Sequence, residues 1–494
     1  MEQIRGNKLK HRKINIFIIS HIISIIILFE GLFMLPALLI SLIYKENISG
    51  DFMRSILLTL CIGAVLNITT RKYRFAEPGV RESLVIASFG WVILALFGAF
   101  PYLATGSIPH FVDAYFESMS GFTTTGSSIL TDIEALPKSI LFWRSLTHWI
   151  GGMGIIVLVI AIMPFLKITG MQLFSSEASV VVEEKISTKV RYVARNIWMI
   201  YVGFTIVETI LLLFGGMPLF DSICHSFATV ATGGFSTKNT SIADYSPYIQ
   251  YVIIIFMALS GINFTLHVLG LRGRIKQAIK NQELHLYLKV IIGVGFILTF
   301  ILYNSQQITF EKAFRDSFFQ VVSVITATGF ATADYLIWPI QGIILMAFLM
   351  LVGACAGSTG GGVKVIRHVI NLQYLRNSIR RVLHPNAVFN VRYNNKVLNT
   401  GQVASVMNFI IIYYGVVVAG TFIMMLLGNN WSTSFGSILT TMGGIGPGFG
   451  LVGPASNFSM LTDSSKYLLS FSMLLGRLEI FPVLSLFTNW FWRT

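Results

Sequence analysis

The chain has 494 residues, 54% hydrophobic and only 12% charged, with a formal net charge of +14. Soluble domains carry about 25% charged residues, so half that charge at this length excludes a soluble enzyme, a disordered protein and a nucleic-acid binder. Three cysteines, Cys61, Cys224 and Cys355, stand in apolar or small-residue runs. They form no disulfide framework and no metal-ligand spacing, and are expected as packed thiols.

A helix that crosses a bilayer needs roughly 20 mostly apolar residues. In chain order the stretches that qualify are 14–42, 52–69, 82–104, 139–166, 194–217, 247–271, 286–303, 337–367 (interrupted), 402–428 and 464–490. The first follows a basic start, Lys8 to Lys13, but its apolar run is too long for a signal peptide and lacks a small-residue cleavage site. With the N-terminus placed inside, 27 of the 36 Lys and Arg residues fall in segments 1–13, 71–81, 167–195, 272–289 and 364–396 and at Arg493. Eight fall opposite: Lys45, Arg54, Lys138, Arg144, Lys238, Lys312, Arg315 and Lys466. Basic residues concentrate on the cytoplasmic side, so the count predicts ten spans with both termini cytoplasmic. Each basic cluster abuts a span and is read as facing the bilayer surface, not nucleic acid.

Between the spans lie segments too short and polar to cross. Phe111-Val112-Asp113-Ala114-Tyr115-Phe116-Glu117 through Thr123-Thr124-Thr125-Gly126 aligns without a gap on Phe314-Arg315-Asp316-Ser317-Phe318-Phe319-Gln320 through Thr326-Ala327-Thr328-Gly329. A third copy runs from Phe220-Asp221 to Ala231-Thr232-Gly233, with a one-residue shift at its start. The weakest copy is Ser437 through Gly444-Ile445-Gly446-Pro447. Repeats at a long period dictate architecture. The reading is an all-α integral membrane protein: a two-span extension (1–70), then four span–short helix–span repeats (71–192, 193–284, 285–400 and 401–494) around a central pore. Irregular backbone at membrane depth persists only where it lines water or is buried in protein, so the four turns are expected to face one another.

Such a ring suits a dehydrated alkali cation, whose hydration shell backbone carbonyls can replace. Glycine permits the positive φ that turns carbonyls to the axis, and the preceding helix aims its negative dipole end at the ion. The candidate ion-contacting residues are Thr124, Thr125, Gly126; Ala231, Thr232, Gly233; Ala327, Thr328, Gly329; and Gly444, Ile445, Gly446. No Asp or Glu ring is present in the four turns, which leaves selectivity to carbonyls.

These motifs, with Gly353-Ala354-Cys355-Ala356-Gly357-Ser358-Thr359-Gly360-Gly361-Gly362-Val363-Lys364 and Gly476-Arg477-Leu478-Glu479, resemble the Trk/Ktr/HKT superfamily of cation transporters over nearly the whole chain. The two extra N-terminal spans make the bacterial TrkH/TrkG branch the most similar. The resemblance implies potassium uptake across the bacterial inner membrane, and a homodimer with one pore per subunit. It also implies a cytoplasmic TrkA-like ring that carries the regulatory nucleotide (NAD or ATP/ADP), with no cofactor bound to this chain. One departure is Gly444, where TrkH proteins more often carry Asn. All four anchors being Gly goes with potassium, whereas Ser at the first anchor goes with sodium preference in some plant relatives.

The Gly-rich stretch lacks the P-loop order and its preceding strand. Residues 353–363 are expected as a gate loop across the pore, carried by Gly357, Ser358, Thr359, Gly360, Gly361, Gly362 and Lys364. Arg477, inside a span, is expected to face the pore as a second gate element, because mid-span Arg residues face a cavity or a partner. Glu30, Glu208, Asn263, His267 and His148 are expected as helix-to-helix hydrogen-bond partners. Arg376, Arg380 and Arg381 are a plausible docking face for the regulatory ring. The competing class is an ion-coupled (proton or sodium) secondary transporter, whose repeats are inverted; same-sense repeats fit a channel-like pore better. No nucleophile or His/Asp/Glu constellation suggests an enzyme.

Overall fold

The computed structural model describes residues 14–76, 78–162 and 186–492. The basic residues at 1–13, Lys167, Lys185 and Arg493 lie outside them. The extension consists of α1 (Ile16–Phe33), α2 (Leu35–Ile43) and α3 (Ser49–Thr70). Asn15 starts α1 by accepting the Phe17 N–H at 3.0 Å, and Pro36 sits at the start of α2, where its missing N–H costs nothing. Cys61 is exposed, on a face of α3 with exposed Leu57, Leu58 and Val65, so it is not the packed thiol expected. Cys224 and Cys355 are buried.

The four repeats follow. Their first spans are α4 (Val80–Gly98), α7 (Ile186–Phe214), α11 (Gln282–Gln306) and α15 (Thr400–Leu426). Their short helices are α5 (Phe111–Phe122), α8 (Leu219–Val230), α12 (Phe310–Ile325) and α16 (Trp431–Gly443). Burial is nearly complete along the last turns of all four; in α16 every residue from Ser437 to Gly443 is buried. Outward faces of the spans carry exposed Phe, Ile and Leu, as surfaces that meet lipid do. The fold is therefore the expected one, a mostly helical membrane protein with the short helices at its centre.

The second segments depart from simple crossings. Among the described residues six helices are long and apolar enough to span, or seven if one bent pair counts as a single span. In the first repeat α6 (Lys138–Ile162) is continuous. The stretch 247–271, expected as one helix, breaks into α9 (Pro247–Ser260) and α10 (Phe264–Leu271), bent by 98°. The freed backbone is re-satisfied locally, as a membrane interior demands. Asn263 accepts the Thr265 N–H at 2.8 Å, His267 Nε2 lies 2.9 Å from the Leu259 carbonyl oxygen, and the Phe264 N–H reaches Gly357 O at 3.1 Å. Asn263 and His267 thus stabilise a bend within one segment and do not link two spans. The third repeat is interrupted as expected, between α13 (Ile340–Val352) and α14 (Val365–Leu383). The fourth, expected continuous over 464–490, breaks between α17 (Asp463–Arg477) and α18 (Phe481–Leu486). There Glu479 (φ 57°) and Ile480 (φ 64°) are left-handed, which no continuing helix allows.

Candidate ion-conducting site

Each short helix ends in the same turn. The left-handed residue that stops it is Thr124 (φ 54°), Thr232 (54°), Ala327 (59°) or Gly444 (66°). The next N–H reaches back along the helix to close a Schellman cap: Thr125 to Ser120 O (2.9 Å), Gly233 to Ala228 O (2.8 Å), Thr328 to Ser323 O (2.8 Å) and Ile445 to Thr440 O (2.9 Å). Two residues beyond the stop, the backbone turns left-handed again at Gly126 (φ 80°), Gly234 (81°), Gly329 (83°) and Gly446 (99°). Glycine takes this conformation without steric cost, which suits Gly444 and Gly446 to the two left-handed positions of the fourth turn.

This geometry moves the register of the second copy by one residue. Its anchor is Gly234, not Gly233; Gly233 stands level with Thr125, Thr328 and Ile445. Ala231 stands level with Thr123, Thr326 and Gly443, one step before the turn. Contacts close the ring in chain order. A Cβ on Gly126 would fall on Gly233 O, one on Gly234 on Thr328 O, and one on Gly329 on Ile445 O. A Cβ on Gly446 would meet Thr125 O at 3.0 Å. Each wall therefore lays its glycine Cα against a carbonyl of the next, and the fourth returns to the first. Ser127 Oγ donates to Gly446 O at 3.1 Å across the same seam.

The Gly-rich loop lies beneath this ring. Thr359 Oγ1 donates to Val230 O (3.1 Å), at the end of α8. A Cβ on Gly360 would meet Thr326 O at 2.5 Å, and one on Gly361 would fall on Gly443 O. The loop thus abuts the last carbonyls of three of the four short helices, at distances only glycine tolerates. Lys364 Nζ donates back to Gly360 O. Arg477 is buried and donates to Thr359 O (3.2 Å) and to Gly151 O of α6 (2.6 Å). Glu479, in the break after α17, pairs with Arg367 at 2.5 Å. Thr123, Thr124, Thr125, Gly360, Gly361, Lys364, Gly476 and Arg477 line a cavity between ring and loop, with about 30 Å³ open to water centres. That is room for one or two waters, too little for a hydrated ion. Gly357 and Ser358 sit to one side: a Cβ on Gly357 would meet Asn263, and Ser358 Oγ donates to Cys355 O at 2.6 Å.

A family model described as TrkH, a cation transport protein, matches residues 48–492. The chain belongs to the TrkH family. It is 38% identical over 479 residues to the Trk system potassium uptake protein TrkH of Escherichia coli strain K12, covering 95% of this chain and 97% of that protein. To TrkG of the same strain it is 33% identical over 481 residues, covering 97% and 99%. The crystal structure of the potassium transporter TrkH from Vibrio parahaemolyticus matches with a TM-score of 0.88 at 32% identity, over 97% of this chain and 100% of that one. This is a multi-pass membrane protein of a bacterial transporter family.

In this TrkH-family chain the ring is braced by residues that sequence reading passed over. Seven positions before each turn's left-handed residue stand Glu117, His225 and Gln320 in the first three repeats. Each holds the segment that follows its own glycine. Glu117 accepts the Ser128 hydroxyl (3.0 Å) and the Ile129 N–H (3.0 Å). His225 Nε2 lies 2.9 Å from Ser236 Oγ, and Gln320 donates to Ala333 O at 2.9 Å. Arg144 and Lys466, assigned to outer segments by charge count, are buried braces. Arg144 pairs with Glu117 at 2.8 Å, and Lys466 pairs with Asp113 of α5 at 2.6 Å. His148 does link two helices, its Nδ1 lying 2.8 Å from Gly121 O. The near-identity of Glu117 and Gln320 in the repeat alignment was the available signal.

Proposed function

We propose that this chain is the pore of a potassium-uptake system, passing K+ through the four-walled ring at Thr124–Gly126, Thr232–Gly234, Ala327–Gly329 and Gly444–Gly446. The observation that carries the reading is the cyclic packing of each wall's glycine against the next wall's carbonyl. Equivalent carbonyls of the four walls (Thr125, Gly233, Thr328 and Ile445) take part in that packing, and it supports a ring of the kind that replaces a hydration shell. The C-terminal ends of four buried helices add negative potential at the same place. The names of the E. coli and Vibrio relatives, all potassium transporters, support the choice of ion. Growth of a potassium-uptake-deficient bacterium at low potassium tests it: complementation that requires Gly126, Gly234, Gly329 and Gly446 is expected, and growth indifferent to all four overturns it.

Gating falls to the loop 353–363 with Lys364 and Arg477, which together fill the path below the ring. Regulation belongs to a cytoplasmic TrkA-like nucleotide-binding ring on a homodimer, in a bacterial inner membrane with both termini inside. Like charges about 8 Å apart at an effective dielectric of about 20 repel by about 2 kcal/mol, or roughly thirtyfold in rate. Arg477→Ala removes such a charge and two ties to the loop and to α6, so rubidium influx into vesicles is expected to rise by about that factor. Deleting part of 357–362 should also raise flux. Reduced flux in Arg477→Ala with normal expression would assign the residue to folding.

A further inference from the structure

The end of the gate assembly farther from the ring carries a feature that conduction does not use. Helices α11 and α14 frame a cleft of about 300 Å³, the lower end of the range for small-ligand sites. One wall is Gln282, His285, Leu286 and Lys289; the other is Val369, Leu372 and Gln373. Two of its polar groups are occupied, Gln282 by the Asn394 N–H at 3.3 Å and Gln373 by the Arg392 N–H at 3.1 Å. His285 and Lys289 are exposed and form no ion pair among the described residues. Their spacing of four puts them on one helix face. Lys289 stands seven residues into a helix long and apolar enough to span, about 10 Å from its start; at a membrane edge an ammonium snorkels or finds an anion.

Helix α14 continues the cleft. Leu372, Leu375, Ile379 and Val382 are exposed and fall at i, i+3, i+7 and i+10, one apolar stripe. Arg376, Arg380 and Arg381 interrupt it with positive charge. A helix with an apolar stripe beside basic residues lies in a membrane interface and favours anionic lipid. Apolar walls, two free basic groups and a charged interfacial helix select a ligand with both an anionic head and a hydrocarbon tail.

We propose that the α11–α14 cleft binds an anionic phospholipid, its phosphate at Lys289 and His285 and its acyl chains along Leu286 and the Leu372 stripe. The site bears on the gate through Glu283 in the first turn of α11. That one carboxylate oxygen accepts the Ala356 N–H of the loop at 2.7 Å and the Ile366 N–H at the start of α14 at 3.0 Å. Both walls of the cleft and the gate loop therefore hang on one side chain, and a lipid between the walls fixes their spacing.

The proposal rests on the chain's residence in a membrane and not on its ion selectivity, so it is tested by lipid retention. The purified protein is exchanged into phosphatidylcholine with added phosphatidylglycerol, then washed in detergent, and retained lipid is quantified by native mass spectrometry. Retention of phosphatidylglycerol over phosphatidylcholine is expected. Lys289→Gln should lower retention about fivefold, the effect of one basic residue near a lipid surface, Lys289→Arg should keep it, and Leu372→Trp should block the cleft. Equal retention by Lys289→Gln, or equal retention of the two lipids, overturns the proposal. So does competition by glycerol phosphate alone, which marks a soluble-anion site, or a cross-link that seats a second copy of the chain in the cleft.

Discussion

Arg144→Ala is expected to destabilise the protein by about 3–5 kcal/mol, the range for breaking a buried ion pair from one side. Its side chain is 1% exposed and that of Glu117 is 0% exposed, so neither charge falls back on water. The guanidinium makes three further contacts: Nη1 donates to Ser236 O (3.2 Å), Nη2 to Ser128 Oγ (3.3 Å), and Cζ lies 4.1 Å from the Phe235 ring centroid. These join α6 and α5 of the first repeat to the segment that follows Gly234 in the second. Loss of the arginine leaves the Glu117 carboxylate uncompensated and opens the seam between two walls of the ring. Thermal melting in detergent, followed by size exclusion, is the measurement. The paired variant Arg144→Met with Glu117→Gln removes both charges, and recovery of at least half of the lost stability is expected. A loss below about 1 kcal/mol in Arg144→Ala, the scale of an exposed pair, would show that the bridge is not buried in the native membrane protein.

What sequence made legible, and what it hid, follows from how far each signal reaches. The short helices could be found because α5 and α12 align without a gap, and chance rarely repeats Asp, Phe and Thr–x–Thr–Gly at one spacing. The Gly-rich loop was equally visible, since five glycines in ten residues have no use inside a spanning helix. The break at Gly261–Asn263 was not visible, because the residues on either side are as apolar as any span. What permits the bend is the Gly357 carbonyl, nearly a hundred residues away, waiting to receive the Phe264 N–H. The burial of Arg144 was hidden for a related reason. A charge count assigns a residue near a helix end to the nearest solvent side, and cannot see that α5 brings a buried Glu to meet it.

The second wall is the sharpest case, and it yields a prediction that separates two adjacent glycines. In Ala231-Thr232-Gly233-Gly234 either glycine can serve as the anchor by type; only the backbone decides. Gly234 has φ 81°, which costs other L-residues about 1–2 kcal/mol, and its Cβ would fall on Thr328 O. That oxygen belongs to the neighbouring wall and cannot retreat without displacing the ring. Gly234→Ser is therefore expected to reduce low-potassium rubidium uptake at least about a hundredfold, equivalent to roughly 2.7 kcal/mol. Gly126→Ser, whose Cβ would fall on Gly233 O, should lower the preference for potassium over sodium. Gly233 differs. It lacks the positive φ, and its counterparts Thr125, Thr328 and Ile445 all bear side chains, so the ring accepts one at that level. What stands in the way is the ring of His148, tilted by 31° with its centroid 4.0 Å from that of Phe235. Gly233→Thr alone should impair uptake, and Gly233→Thr with His148→Ala should recover most of what His148→Ala retains by itself. No His148 substitution should rescue Gly234→Ser, because a backbone carbonyl, not a side chain, opposes it. Rescue of Gly234→Ser by His148→Ala, or equal damage from both glycine substitutions in either background, would return the anchor to Gly233 and break the cyclic packing on which the four-walled pore rests.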